Sequence, residues 1–121
     1  MSLTADMTWK GDVTIVRLNG RVTLGEGSET LRETFKTVFD SGATKVLLDF
    51  SGVGYIDSCG LGALVGSYTT GKNKGITIKL LHLQKRVEGL MQLTKLYLVF
   101  EAFENEADAI QSFTTMGAAS A

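Results

Sequence analysis

The sequence contains no proline and only one cysteine, one histidine and one tryptophan among its 121 residues. A single cysteine, Cys59, cannot form an internal disulfide or a multi-cysteine metal site. A single histidine, His82, cannot supply a histidine-based catalytic pair or metal cluster within one chain. We therefore expect no disulfide framework, no metal site and no cofactor.

An excess of charge of one sign and long apolar runs are also missing. The 12 basic and 13 acidic residues give a formal net charge of −1, which does not attract nucleic acid or an acidic membrane surface. No apolar run approaches the roughly 20 residues that cross a bilayer, and no secretory signal precedes the domain. These absences predict a cytoplasmic protein without a nucleic-acid partner and without membrane insertion.

The residues that are present are typical of one globular domain. Hydrophobic residues make up 44% and charged residues 21% of the chain, which is ordinary globular usage. The last residues are small and follow no period. We expect one domain over residues 4–114 and a flexible C-terminal tail over residues 115–121.

Alternating strand and helix patterns predict an α/β fold with a mixed sheet of about five strands and about four helices. Thr23 and Glu26 have the spacing of a capping box, and Trp9 is expected in the core. The predicted strands lie within residues 7–18, with a turn at 11–12, and then, after a turn at 19–20, at 21–23, 45–50, 76–81 and 98–102. The predicted helices lie around residues 31–39, 61–68, 87–91 and 107–113.

The segment over residues 57–62, Asp-Ser-Cys-Gly-Leu-Gly, carries the most chemical information. Ser58 stands just before a helical period, so its hydroxyl is predicted to cap the helix. Gly60 and Gly62 lie in the first turn, where each costs up to ~1 kcal/mol relative to alanine. This cost favours a backbone left uncovered for the approach of a partner. From spacing alone, an ordinary cap with packing glycines remains the simpler interpretation.

Residues 48–53, Leu-Asp-Phe-Ser-Gly-Val, and residues 56–62 together resemble the signature of the STAS family, which includes the anti-sigma-factor antagonists. The likeness extends roughly from Met7 to Phe113. It implies a single STAS-like domain in which Ser58 is phosphorylated by a partner that is both anti-sigma factor and serine kinase. The unphosphorylated form would bind that partner and free a sigma factor, and it would have no catalytic residues of its own.

The resemblance also implies a partner-binding surface formed by two segments of the chain. Its expected residues are Asp57, Ser58, Gly60, Leu61, Gly62, Thr23, Gly25 and Glu26. Many antagonists carry an aspartate near position 23, and this chain lacks it, which bears on the identity of the partner. A phosphatase is a further candidate partner, and a weak homodimer is left open.

Two other functions remain as alternatives. The same domain can act as a scaffold or accessory subunit of a signalling or lipid-transport complex, without phosphorylation. Residues 66–72 match the start of a nucleotide-binding loop, GxxxxGK, but Asn73 stands where serine or threonine would bind magnesium. That stretch also continues a helical period. Nucleotide binding is therefore the weakest of the three hypotheses.

Overall fold

A computed structural model describes the backbone of residues 3–120 and the side chains of residues 3–114. The strands in this part of the chain are β1 (Thr4–Lys10), β2 (Val13–Val22), β3 (Lys45–Ile56), β4 (Thr77–Leu81) and β5 (Ala102–Phe103). The helices are α1 (Glu26–Asp40), α2 (Ser58–Asn73), α3 (Lys85–Leu93) and α4 (Glu106–Ser120), with a 3-10 turn at Leu96–Leu98. The sheet order is β1-β2-β3-β4-β5, with β1 antiparallel to β2 and the other pairs parallel. The predicted α/β fold with a mixed sheet is confirmed.

Each face of the sheet carries its own hydrophobic core, because successive side chains of a strand point to opposite faces. On one face, Val16, Leu48 and Leu80 are buried together with apolar residues of α1, α2 and α3. On the other face, Leu47 packs in a cluster with Phe113 of α4. Apolar packing on the first face therefore holds α1 and α2 against the sheet, and their first turns lie at the edge where the parallel strands end.

Strands β2 and β3 continue beyond the limits that the sequence indicates. Asn19 pairs with Gly52, and Gly20 pairs with Val53, so the predicted turn at 19–20 and the separate strand at 21–23 are wrong. The register of β2 on β3 shifts between Arg17 and Asn19 and again between Gly20 and Arg21, as it does at β-bulges. Pairing between neighbouring strands overrides the local turn signal of asparagine followed by glycine.

Three other local expectations can be compared with the structure. Trp9 is 60% exposed on β1, so its predicted place in the core is wrong. Leu98 lies in the 3-10 turn, and the last strand comprises only Ala102–Phe103. The predicted tail over residues 115–121 begins inside α4. Its flexibility stays a prediction, because residue 121 and the side chains of residues 115–120 lie outside the described residues.

Among the described helices, none has the length and apolar character that crossing a membrane requires.

Candidate functional site

The candidate site lies at the carboxyl edge of the sheet, where the parallel strands β2 and β3 end and α1 and α2 begin. Residues 23–25 connect β2 to α1, and Asp57 alone connects β3 to α2. Neighbouring parallel strands end at the same edge, so the two connections meet although Leu24 and Asp57 are 33 positions apart. The structure therefore brings together the two segments that the sequence proposes as one surface.

Asp57 holds this edge together through both oxygens of its carboxylate. Oδ1 accepts a hydrogen bond from the backbone N–H of Gly60 at 2.8 Å, and Oδ2 accepts one from the backbone N–H of Leu24 at 2.9 Å. The N–H of Asp57 itself donates to the carbonyl of Val22 at 3.1 Å. These hydrogen bonds hold the pKa of the Asp57 carboxyl below its usual range, and the bond from Gly60 has a larger effect than the bond from Leu24. Asp57 is the N-cap of α2, so the predicted cap by Ser58 is wrong.

Gly60 allows the first turn of α2 to touch the end of β2. A Cβ at this position would lie 2.0 Å from the carbonyl oxygen of Val22, and Gly60 is buried. The interpretation of Gly60 as backbone left uncovered for a partner is therefore wrong, since strand β2 already covers it. The next residue, Leu61, is only 8% exposed and belongs to the core. These two residues fix the position of the helix.

Ser58, Cys59 and Gly62 form the exposed part of the same turn. Ser58 is the first residue of α2, and its hydroxyl takes no part in the hydrogen bonds among the described side chains. A Cβ at Gly62 would meet no atom within 4 Å. Packing therefore explains Gly60, whereas no contact within the described chain explains why position 62 is glycine.

A shallow cleft of about 370 Å³ between α1 and α2 adjoins this turn. Leu24 stands at the cleft with 75% of its surface exposed, although its N–H is held by Asp57. The sequence interpretation missed Leu24, and the signal that points to it is an apolar residue between the predicted contacts Thr23 and Gly25. The lining residues are Leu24, Gly25, Ser28, Glu29, Arg32, Cys59 and Gly62.

The connection from β2 to α1 is ordered by its backbone. The carbonyl of Thr23 accepts hydrogen bonds from the N–H of Ser28 at 2.9 Å and from its hydroxyl at 2.7 Å. Gly25 is the N-cap of α1 with a φ of +88°, which glycine adopts readily. Its helix has no side-chain cap, so the predicted capping box of Thr23 and Glu26 is wrong. Glu26 is exposed at the start of α1.

Other residues that the sequence singles out lie elsewhere. Asp49 is 5% exposed and accepts a hydrogen bond from Arg17 at 2.8 Å. Arg17 also contacts Glu106 of α4, so this is an ion-pair network on the α4 face of the sheet. Residues 66–72 lie inside α2, which is not the loop between strand and helix that a nucleotide-binding loop requires. Among the described residues, no group of three or more histidine, cysteine, aspartate or glutamate side chains is placed to hold a metal ion.

A model of the STAS domain family matches residues 4–109. The protein belongs to the STAS family. This match includes both segments of the candidate site, the connection over residues 23–25 and the first turn of α2.

Solved structures show the same fold. A putative anti-sigma factor antagonist from Thermotoga maritima is 25% identical, with a TM-score of 0.76 over 89% of this chain and 92% of that chain. The Bacillus cell fate determinant SpoIIAA in its phosphorylated form is 20% identical, with a TM-score of 0.68 over 91% and 99% of the two chains. The murine anion transporter Solute Carrier 26 family member A9 is 22% identical, with a TM-score of 0.74 over 89% of this chain and 18% of the transporter. The STAS fold therefore occurs both in regulators and as part of a transporter.

Proposed function

We propose that this protein is a bacterial, cytoplasmic regulator that binds a partner protein and is switched by phosphorylation of Ser58. In its unphosphorylated form it binds an anti-sigma factor with serine-kinase activity and so frees a sigma factor. The observation that carries the proposal is the exposed Ser58 hydroxyl on a helix end that Asp57 and Gly60 hold in place. We propose no catalytic activity and no cofactor for the protein itself.

The fold can accept a phosphate at Ser58 without unfolding. A phosphoserine carries nearly two negative charges at neutral pH. The N-terminal end of a helix favours anions because its dipole is positive there, and this attraction acts in α2 although Asp57 already accepts the N–H of Gly60. Ser58 is the first residue of α2 and is exposed. We therefore expect modification to change the surface and leave the frame intact.

The same phosphate changes the binding properties of the surface. It adds negative charge next to Asp57 in the chain, at the edge that the partner would cover. Like charges brought together at an interface cost several kcal/mol. A penalty of about 4 kcal/mol weakens binding roughly a thousandfold. One phosphate is therefore enough to release a partner that binds the unmodified form.

Similar proteins support the choice of partner. The Thermotoga maritima structure is described as a putative anti-sigma factor antagonist, and the fold of this chain matches it over most of both lengths. SpoIIAA, whose fold is also similar, has been solved in a phosphorylated form. A phosphatase that removes the phosphate would complete the cycle.

The first test is the intact mass of the protein purified from its native cells, followed by peptide mapping of any phosphate. We expect a phosphate on Ser58 that is lost in Ser58→Ala and retained in Ser41→Ala. Ser41 is a suitable control because it is an exposed serine at the other end of the neighbouring helix α1. Finding no phosphate during growth or under stress would contradict the proposal.

The second test compares binding of the Ser58→Ala and Ser58→Asp variants to proteins from the same cells. We expect Ser58→Ala to retain a protein that phosphorylates the unmodified chain when ATP is supplied, and Ser58→Asp to bind it far less. Equal retention by both variants would show that charge at this position does not control binding.

A scaffold or accessory subunit is the second candidate, and an exposed apolar area favours it. The exposed apolar residues at and after the end of α3 are between 45% and 81% exposed, namely Leu93, Tyr97, Leu98 and Val99. Beside them lies a cleft of about 480 Å³. Clustered exposed apolar side chains mark contact surfaces. Size-exclusion chromatography with light scattering separates the candidates, because a stable large assembly supports the scaffold and a monomer contradicts it.

A further inference from the structure

Two arginines and one tyrosine lie together at the carboxyl edge that also carries Ser58, and a lysine adjoins one of the arginines in the chain. Arg21 is at the end of β2 and pairs in register with Tyr55 of β3. Arg86 belongs to the first turn of α3, next to Lys85. We call Arg21, Tyr55, Lys85 and Arg86 the arginine–tyrosine surface. It brings together residues from β2, β3 and α3, which are separated in the sequence.

The two arginines converge on one aromatic ring. The guanidinium carbon of Arg21 lies 5.6 Å from the centroid of the Tyr55 ring, and that of Arg86 lies 5.8 Å from the same centroid. Both distances are within the range of a cation–π contact. The two positive charges are therefore near each other, although the electrostatic repulsion between them opposes this arrangement.

Within the described part of the chain, these positive charges have no carboxylate partner. None of the ion pairs among the described residues includes Arg21, Lys85 or Arg86. Asp57, on the same edge, already accepts hydrogen bonds through both oxygens from backbone N–H groups. The other acids at or near this edge, Glu26, Glu29, Glu88 and Glu104, are exposed and take part in none of the ion pairs among the described residues.

The position of two of these cations is unfavourable for the helix that carries them. Lys85 and Arg86 are the first two residues of α3, where the helix dipole is positive and disfavours cations. The Gln84 side chain does not cap this helix, and its amide instead donates to the carbonyl of Ser51 on β3 at 2.6 Å. The sequence thus places basic residues where the local structure does not benefit from them. Such local conflicts often mark functional positions.

We propose that the arginine–tyrosine surface binds an acidic segment of the partner protein that acts on Ser58, an inference that rests on the proposed function. Guanidinium groups bind carboxylates through two parallel hydrogen bonds, and a tyrosine adds a hydroxyl and apolar area. The surface lies on the same edge as Ser58, because residue 58 follows Tyr55 by three positions at the end of β3. One partner can therefore contact both.

Nucleic acid and membrane lipids fit the surface less well than an acidic protein segment. Three cations neutralise few phosphates, and the whole chain carries a net charge of −1. Recognition of acidic lipid by unstructured or helical basic clusters uses about four to eight lysines and arginines. The basic residues of this edge are too few for either target.

The first experiment titrates the isotopically labelled full chain with hexaglutamate and follows its amide NMR signals. We expect shifts at residues 20–22, 54–56 and 84–87, and none with hexalysine. The Arg21→Ala, Arg86→Ala double variant should weaken binding at least about tenfold. The Lys72→Ala, Lys74→Ala variant removes the same charge from exposed positions at the far end of α2 and should bind as the parent does. Equal weakening in both variants would overturn the proposal, as would tighter binding of a short DNA duplex through the same residues.

The second experiment measures phosphorylation of Ser58 in extracts of the native cells. We expect the Arg21→Glu, Arg86→Glu variant to be phosphorylated at least about tenfold more slowly than the Lys72→Glu, Lys74→Glu control. Equal rates would overturn the inference while leaving the proposed function intact. If Ser58 is not phosphorylated in any variant, yet hexaglutamate binds through the two arginines, the proposed switch fails and acidic-segment recognition stands.

Discussion

Gly60 and Gly62 provide the sharpest test of the described geometry, because the same substitution should have opposite effects at the two positions. Both glycines lie in the first turn of α2, and alanine favours a helix over glycine by up to about 1 kcal/mol at either. At Gly62 the new methyl group would meet no atom within 4 Å. We therefore expect Gly62→Ala to raise the free energy of unfolding by about 0.5–1 kcal/mol.

At Gly60 the same methyl group would overlap the end of strand β2. Its Cβ would lie 2.0 Å from the carbonyl oxygen of Val22 and 2.7 Å from both the carbonyl carbon and Cγ1 of that residue. Carbon atoms normally approach no closer than about 3.5 Å, and overpacking costs about 1–3 kcal/mol. The obstacle is backbone that also accepts the N–H of Asp57, so the upper value applies. After the helix gain, we expect a net loss of about 2 kcal/mol for Gly60→Ala.

Urea unfolding followed by far-ultraviolet circular dichroism measures this difference directly. The two variants should differ by about 3 kcal/mol in free energy of unfolding, which corresponds to about 10 °C in Tm for a domain of this size. Relative to the parent protein, Gly62→Ala should unfold at a higher urea concentration and Gly60→Ala at a lower one. If Gly60→Ala unfolds at the same urea concentration as Gly62→Ala, the close contact between α2 and β2 does not exist and the account of this edge is refuted.

Four further predictions test the site and the core. The pKa of the Asp57 carboxyl is lowered in the folded protein, so its contribution to stability is complete above the ordinary value of about 3.9 and is lost as the pH falls through the lower folded value. An NMR titration that finds a pKa at or above the ordinary value would contradict this. Ser58→Asp should leave the free energy of unfolding, measured with urea, unchanged within about 0.5 kcal/mol, because the side chain is exposed at a helix N-terminus. Phe113→Ala should cost about 3–5 kcal/mol by urea unfolding, because Phe113 is fully buried between α4 and the sheet. Trp9→Phe should change stability by less than about 0.5 kcal/mol in the same assay, and a larger loss would mean that Trp9 is buried.

The elements of the fold could be predicted because apolar periodicity is a local property of the chain. Leu31, Phe35 and Val38 indicate one face of α1 by their spacing, and all three are buried. The strand over residues 45–50 is recognisable from its nearly unbroken apolar run, which is typical of a strand covered on both faces. In each case a few neighbouring residues contain the whole signal.

The details of the site depend on contacts that the sequence does not contain. Asp57 and Ser58 are both good capping residues, and the choice between them follows from the N–H of Leu24, which is far away in the chain. Gly60 and Gly62 look alike in sequence, and only the position of β2 distinguishes them. For the same reason, the arginine–tyrosine surface could not be predicted, since it depends on the register of β2 with β3 and on the placement of α3.

The residues of the carboxyl edge divide into a frame and an exposed set, and this division explains how one fold can host different functions. Asp57, Gly60 and Leu61 satisfy hydrogen bonds or packing inside the chain, so changing them disturbs the edge itself. Leu24 and Ser58 face solvent, so their side chains can vary without loss of the frame. Relatives that regulate and relatives that form part of a transporter are therefore expected to share the frame and to differ in the exposed set. It follows that the function of this protein has to be tested at its exposed residues, while substitutions in the frame report on folding.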